Sequence, residues 1–369
     1  MSFEEKYHLT TNPFRITPAV SSEEIVWAGF SGLKNKFIKR IKRSIKIPNS
    51  SLILNWGEYG SGKTHAARFF CSKKQLEIIS KEVNSKPPYS FTFPLPKGKD
   101  PVYSIYISVI DKLDIKQIRN DFDNQSILKF IDLYSDNLQV QSILSAIFNE
   151  NVEDVSLLKK YLYGNVTNTE LKKLNQYGIL RHLKSDSDYT KVLAGLFTCL
   201  TFNKLVYSSI ILWIDEFEDL AILSSSNIDK TNNFIREILD NTPNNLLIFI
   251  NLTQSALFGQ EDLGEYVSEA VRSRIRDRIN FDLPSEQDLK DYYLDLVTTF
   301  RAGKVDDEYA PFSSELISKI IAELGNVSIR SFNEALSMTL ELADLEDVVP
   351  ISIEFFEKYK EEIIGWKQE

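Results

Sequence analysis

Gly57-Glu58-Tyr59-Gly60-Ser61-Gly62-Lys63-Thr64 decides the fold class of this chain. The octet fits G-x-x-x-x-G-K-[ST], a phosphate-binding loop. Its glycines let successive backbone N–H groups turn inward around an anion, Lys63 brings positive charge to β- and γ-phosphates, and the Thr64 hydroxyl can ligand Mg²⁺. The pattern sits where its geometry requires. An apolar run, Leu52-Ile53-Leu54, precedes it as a buried strand, and a helix-compatible run begins at His65. The nucleotide-binding candidates are therefore Gly57, Glu58, Tyr59, Gly60, Ser61, Gly62, Lys63, Thr64 and His65.

A phosphate loop needs acidic partners, and Ile210-Ile211-Leu212-Trp213-Ile214-Asp215-Glu216 is an apolar strand ending in two of them. Asp215 at the strand's carboxyl end can hold the Mg²⁺ shell, and Glu216 can orient and deprotonate an attacking water. Glu218 and Asp219 read as solvated acids at a helix start. Leu247-Ile248-Phe249-Ile250-Asn251-Leu252-Thr253 is another buried strand with polar side chains at its end. Either Asn251 or Thr253 can touch the γ-phosphate or the water. Arg272, Arg274, Arg276 and Arg278 lie two apart before Phe281-Asp282-Leu283-Pro284, and would share a face only in an extended segment. One of them, with Arg274 preferred, is a candidate arginine finger for a neighbouring subunit. Arg330 opens a helix after Gly325-Asn326-Val327-Ser328. A cation is mildly unfavourable in a helix's first turn, which favours a functional role such as reporting the γ-phosphate.

Working outward, residues 1–30 read as extended and irregular, with Pro13 and Pro18 blocking a helix. Residues 31–47 read as a helix packed through Phe37 and Ile41, with Lys34, Lys36, Lys39, Arg40, Lys42, Arg43 and Lys46 on its remaining surface. One helix is expected from Lys63 to about Asn84, a strand from Tyr89 to Phe93, and a helix near Val102 to Leu113. The stretch near 114–186 is polar, with helical fragments and few strand signals, and reads as a helical insertion. The helix Asp188–Phe202, the strand Ser209–Ile214, a short helix Asn232–Leu239, the strand Leu246–Leu252 and a short strand Arg278–Leu283 follow. After Pro284 the pattern is all-helical: Glu286–Phe300, Glu315–Leu324, Ile329–Leu345 and Ile353–Trp366. Strands alternating with helices predict a parallel sheet covered on both faces. The expected division is an α/β core over 1–283, including the insertion at about 114–186, and a second, helical domain over 284–369.

The bulk numbers bound the function. A chain of 369 residues has room for two or three domains, and 43% apolar with 26% charged residues is ordinary globular composition. A net charge of -9 excludes a surface built as a whole for nucleic acid, though a local basic patch, the helix at 31–47, is still open to DNA. Cys71 and Cys199 are the only cysteines, so no disulfide framework is expected. The N-terminus lacks the basic and apolar regions of a signal peptide, and no apolar run is long enough to span a membrane, so a cytoplasmic protein is expected.

The order of phosphate loop, Asp-Glu strand, polar strand end, arginine before a boundary and arginine in a helical segment resembles the AAA+ ATPases over roughly residues 12–345. Asn12-Pro13-Phe14 and Trp27-Ala28-Gly29-Phe30 are similar to the segment that lines the adenine site in initiator-type members, which implies roles for Trp27 and Phe30. Gly325 to Arg330 resembles the lid arginine of the origin-recognition and initiator clade. Tyr163-Gly164, Glu170-Leu171-Lys172-Lys173-Leu174 and Ile214-Asp215-Glu216-Phe217-Glu218 are similar to prokaryotic ATPases of phage-defence islands (the BREX type) and of transposition modules. The resemblance implies an α/β P-loop sheet with helices on both faces, a helical insertion and a C-terminal helical lid. It implies ATP and ADP with Mg²⁺ as ligands, hydrolysis in a homo-oligomer, and a partner protein engaged through 114–186. Two departures stand out. Lys63 and Asp215 lie much further apart than a compact core needs, and the insertion accounts for the excess. The tail after residue 345 is also too short for the winged-helix domain of initiators. Two other readings are a nucleotide-gated scaffold or switch that hardly hydrolyses and regulates a defence effector, and a DNA-binding adaptor in which nucleotide is structural.

Overall fold

The computed structural model describes residues 2–14, 25–121, 124–134, 137–149, 151–254 and 263–365. Pro18 and Trp366 lie outside the described residues. Strands β1 (Ser51–Glu58), β2 (Tyr89–Pro94), β3 (Ile210–Asp215), β4 (Leu246–Gln254) and β5 (Ile275–Phe281) form one parallel sheet in the order β2-β3-β4-β1-β5. Tyr89 pairs with Ile210 and Pro94 with Asp215; Ile210 pairs with Leu246 and Ile214 with Ile250. Parallel pairing needs long crossovers, and helices between the strands supply them. The continuous apolar runs of β3 and β4 follow from this placement: both faces are covered, and Ile210 to Ile214 and Leu246 to Leu252 are all buried.

The chain divides into two compact units, one of Phe37–Asn55 with Lys73–Ile279, the other of Met1–Lys36, Trp56–Ser72 and Asn280–Glu369. In the first, Phe37 packs on Trp213 and Phe249, whose rings stack 4.0 Å apart. The stretch expected as a helical insertion holds helices Ile115–Asp121, Asn124–Tyr134, Leu138–Phe148, Val155–Leu162 and Asn168–Leu174, with no strand among the described residues. Asn137, Asp154 and Thr167 cap three of them through their side chains, satisfying N–H groups that a helix cannot satisfy itself. Arg119 is buried here, 6% exposed, and donates to the carbonyls of Ala146, Ile147 and Val152 at 2.7–2.9 Å.

The core of the second unit is built from helices Glu286–Thr299, Ser314–Leu324, Ile329–Leu345 and Ile353–Ile364. The N-terminal segment is part of that core. Tyr7, Leu9 and Phe14 are buried in it, Leu9 bridges Arg301, and the Phe14 ring stacks on Tyr293 at 5.7 Å. No helix among the described residues is long and apolar enough to cross a membrane.

Four expectations change. Residues 1–30 are not wholly irregular: Phe3–Tyr7 is a helix, closed by a capping box between Ser2 and Glu5 that Ser-Phe-Glu-Glu announces. The single helix from Lys63 to Asn84 is two, Lys63–Cys71 and Lys73–Lys81, because Ser72 turns to an extended conformation at φ -68°, ψ 134°. The short helix Asn232–Leu239 extends over Ser225–Asn241; its first turns are polar and carry no apolar periodicity to be read. The last strand is Ile275–Phe281, not Arg278–Leu283. The sequence pattern places it late because Arg276, Arg278 and Asn280 occupy its exposed face and leave few apolar positions to read.

Candidate nucleotide-binding site

The phosphate loop connects β1 to the helix Lys63–Cys71. Gly62 caps that helix at φ 96°, a left-handed conformation that suits glycine. Gly57 has a second reason: a Cβ there would fall 2.6 Å from the Cβ of Phe281 on β5, leaving no room for a side chain. Lys63 is 6% exposed, and its ammonium donates to the carbonyls of Gly57 at 2.9 Å and Glu58 at 2.8 Å and to the Ser61 hydroxyl at 3.2 Å. A buried ammonium demands such acceptors. Lys63, Thr64 and His65 also begin the helix, where backbone N–H groups lack intrahelical partners and favour an anion.

His65 and Trp27 sit behind the loop. The Trp27 ring lies 6.1 Å from His65, 5.3 Å from Phe69 and 5.4 Å from Phe70, and its Nε1 donates to the Gly29 carbonyl at 3.0 Å. Burial holds the His65 imidazole below its usual pKa, so it is neutral, and it bonds the backbone of Val26. The His65 side chain thus braces the Trp27 segment, and only its backbone is available to phosphate. Phe30 packs against Tyr292 at 6.1 Å. Phe14 is only 1% exposed, so it offers no face to an adenine.

A cavity of about 230 Å³ adjoins the loop, lined by Phe30, Leu33, Lys36, Glu58, Tyr59, Ser61, the Asn280–Pro284 stretch, Asp288, Ser328 and Ile329. Among the described residues Glu58, Asp282 and Asp288 face it against one cation, Lys36, a balance that repels a triphosphate. The loop with Lys63 offers the donors and the cation that an anion needs, and this cavity does not.

Arg330 lies in the first turn of the helix Ile329–Leu345. Its backbone N–H donates to the Gly60 carbonyl at 3.3 Å, its Nε donates to Glu334 at 3.2 Å, and its guanidinium sits 5.1 Å from the Tyr59 ring centre while bonding the Tyr59 hydroxyl.

The acidic strand and the polar strand form a buried chain of amides in the other unit. Asn55 Nδ2 donates to Asn251 Oδ1 at 2.7 Å, and Asn251 Nδ2 donates to Asp215 Oδ1 at 3.1 Å. The Glu216 backbone N–H donates to the same Asp215 oxygen at 3.1 Å. Asn251 is fully buried, and its side chain meets Asp215 directly; Thr253 is half-buried, and it is its backbone N–H that donates to Glu218 at 2.9 Å. Glu216 adopts φ 54°, ψ 40°, a strained conformation for a non-glycine residue that aims it away from β3. Desolvation raises its pKa, while Lys97 opposes the shift from 3.9 Å. Lys97 also pairs with Asp219 at 2.9 Å. Glu218 and Asp219 are therefore engaged in the site's scaffold, not solvated as expected from their place at a helix start.

Asn55 and Lys97 have no role in the sequence reading, and Glu218 reads there only as a solvated acid. Asn55 had a readable signal, a lone amide inside the apolar run Leu52-Ile53-Leu54-Asn55-Trp56, since a buried amide needs a partner. Lys97 had none, because its partners are distant in sequence. Asn55 fixes which way the Asn251 amide faces. Asn55→Leu removes the donor to the buried Asn251 Oδ1 and is expected to destabilise this unit by about 1–3 kcal/mol. Urea unfolding checks this, and an unaltered midpoint would show that the Asn251 amide does not depend on Asn55.

The four arginines do not form one stripe. Arg272 ends the helix Glu269–Arg272, Arg274 follows in a turn, and only Arg276 and Arg278 share the exposed face of β5. The alternation expected of an extended segment stops at the strand's start. Arg274 Nε and Nη2 donate to both oxygens of Asp240 at 3.0 and 2.8 Å.

The basic helix spans Ser31–Lys46 and buries Phe37, Ile41, Ser44 and Ile45. Arg40 pairs with Asp277, Lys42 pairs with Glu82, and Lys34 lies over the Phe69 ring at 5.3 Å. Lys36, Lys39, Arg43 and Lys46 are exposed and recur at helical spacing, so they form one stripe.

Sheet, loop and helices together make an α/β P-loop fold with helices on both faces, a helical insertion and a C-terminal helical region, a fold that solved structures share. Three solved structures give that likeness its detail. The Aeropyrum pernix ORC1 protein in complex with DNA matches at a TM-score of 0.50 and 11% identity, covering 92% of this chain and 66% of that one. The Aeropyrum pernix ORC2 protein in its ADP form matches at 0.51 and 13%, covering 94% of this chain and 70% of that one. Drosophila ORC bound to DNA matches at 0.52 and 12%, covering 95% of this chain and 64% of that one. This chain thus spans about two thirds of the length of these neighbours, and at such identities the likeness is one of fold. No family model matches the sequence, and no curated protein matches it.

Proposed function

We propose that the chain is a Mg²⁺-dependent AAA+ ATPase that hydrolyses ATP in a homo-oligomer and uses the nucleotide state to switch a partner protein or a DNA complex. The observation that carries this reading is Lys63, a buried ammonium held by the phosphate loop's own carbonyls at the start of a helix. Phosphate oxygens would take the place of those carbonyls and bring a stronger, charged acceptor. Gly57 to His65 would supply backbone N–H groups, and Trp27 and Phe30 would flank the adenine.

Mg²⁺ is the proposed ion. Thr64 and Asp215 are hard oxygen donors, and both bonds to Asp215 reach Oδ1, which leaves Oδ2 for a cation. Among the described residues there is no group of three or more His, Cys, Asp and Glu side chains that would hold a metal alone. This suits an ion that shares its shell with substrate phosphates. Mg²⁺ would supply charge neutralisation at the phosphates. Glu216 would take the proton of the attacking water, Asn251 would sense the γ-phosphate with Thr253 beside it, and Arg330 would report it from the helical region. Arg274 would act on a neighbouring subunit after leaving Asp240. A core over 1–283 and a lid over 284–369 would then change relation with nucleotide state.

The ADP in the Aeropyrum ORC2 structure supports nucleotide as the ligand, and the DNA in the ORC1 and Drosophila ORC structures supports a role in DNA transactions. The stripe Lys36, Lys39, Arg43, Lys46 is a surface that would suit a phosphodiester backbone. The insertion at 114–186 would select a partner protein, in phage defence or mobile-element transactions in the cytoplasm.

The test is nucleotide binding and phosphate release by the purified chain, with its native mass measured with ATP and with ADP. Lys63→Ala is expected to weaken ATP binding at least about a hundredfold, since it removes a charge-assisted contact to phosphate. A wild-type protein that binds neither nucleotide would end this reading. Binding without release of phosphate would favour the switch that hardly hydrolyses.

A further inference from the structure

We infer that Tyr59 sets how strongly the site discriminates ATP from ADP, by holding Arg330 until a γ-phosphate draws it off; this rests on the role proposed above for Arg330. Three observations converge. The Arg330 guanidinium lies 5.1 Å from the Tyr59 ring centre and also bonds its hydroxyl. The two segments touch at the level of backbone: the Arg330 N–H donates to the Gly60 carbonyl at 3.3 Å, and a Cβ on Gly60 would come within 2.9 Å of the Arg330 Cβ. The side chain can therefore change partners by rotation alone. Tyr59 is also 70% exposed, so packing does not account for an aromatic ring at this loop position, and the arginine does.

The energetic consequence is one-sided. With ADP there is no γ-phosphate, and Arg330 keeps its contact with Tyr59. With ATP the guanidinium trades a ring and a neutral hydroxyl, together with its Nε bond to the Glu334 carboxylate, for a phosphate that it can bind bidentately. The lost contact subtracts from ATP affinity and leaves ADP affinity aside. Tyr59 thus opposes the ATP state.

The test is calorimetric titration of the full chain with Mg²⁺ and either ADP or an ATP analogue with a β,γ-imido bridge. In Tyr59→Ala the ratio of ADP Kd to analogue Kd is expected to rise about threefold to tenfold, the worth of an exposed cation–π contact with its hydrogen bond. Tyr59→Phe keeps the ring and should give a smaller rise, and it guards against a loop deranged by the alanine. In an Arg330→Met background the ratio should no longer respond to Tyr59. A ratio that stays at the wild-type value in both Tyr59 variants, while Arg330→Met lowers it, overturns the inference and leaves the proposed function standing. A ratio that Arg330→Met does not alter removes the role of Arg330, and the inference with it.

Discussion

Glu216→Gln should leave ATP bound and slow its hydrolysis about 10²- to 10⁴-fold, the range expected when a positioned general base is lost. The substitution is isosteric and keeps the strained φ of 54° at this position, so geometry is retained and only proton acceptance is removed. The wild-type pH profile carries a second signature. Desolvation raises the Glu216 pKa, with Lys97 pulling against it. In the proposed mechanism the working form is the carboxylate, so the rate should fall as pH drops through a value above the ordinary carboxylate range, and the glutamine variant should lose that limb. Single-turnover hydrolysis between pH 4 and 8, on the order of four units spanning the carboxylate range, reads both effects. Hydrolysis at the wild-type rate would take Glu216 out of the mechanism. Mixing this variant with Arg274→Ala subunits adds a test of the oligomer. If Arg274 acts on a neighbour, each mixed interface that pairs an intact Glu216 with an intact Arg274 regains activity. Intact oligomers with no regained activity would reject Arg274 as the finger.

Arg119→Met should destabilise the unit that holds the helical insertion by about 3 kcal/mol, the cost of leaving buried polar groups unsatisfied around a lost cation. The guanidinium is buried and donates to Ala146, Ile147 and Val152, at and just past the end of the helix Leu138–Phe148. Those carbonyls lie where a helix leaves acceptors open and where its dipole favours a cation. Methionine fills the volume but donates nothing. Arg119→Lys should recover only part of the loss, because one ammonium cannot match a planar fork of donors. Urea unfolding and amide exchange across 115–152 measure this, and a loss below about 1 kcal/mol would show that the carbonyls find other partners.

How much was legible depended on how far the partners lay along the chain. The phosphate loop, the apolar strands β1, β3 and β4, the helical insertion and the four C-terminal helices follow from patterns within a dozen residues. Periodicity and turn chemistry act at that range. The break at Ser72 and the N-terminal helix at Phe3–Tyr7 were missed although both are local, because long apolar or proline-rich stretches masked a short capping signal. Glu218 and Asp219 were misread for another reason: a pair of acids at a helix start has no sequence mark that separates a solvated acid from one that accepts the Thr253 N–H or pairs with Lys97.

By itself the sequence determined that a P-loop sheet would form, which strand would carry the acids, and that Lys63, Thr64, Asp215 and Glu216 were the residues to watch. These are consequences of residue type and spacing: glycines where the backbone must turn left-handed, apolar runs where a strand is covered on both faces, acids at a strand end. Only the tertiary structure decided that Asn251, not Thr253, turns its side chain to Asp215, that Asn55 orients it, that the four arginines do not share a stripe, and that Arg330 rests on Tyr59. Each of these depends on which side chains meet across strands and turns far apart in the chain. Hydrogen bonds are directional and short, so their choice of partner is made by the packed fold and not by the order of residues.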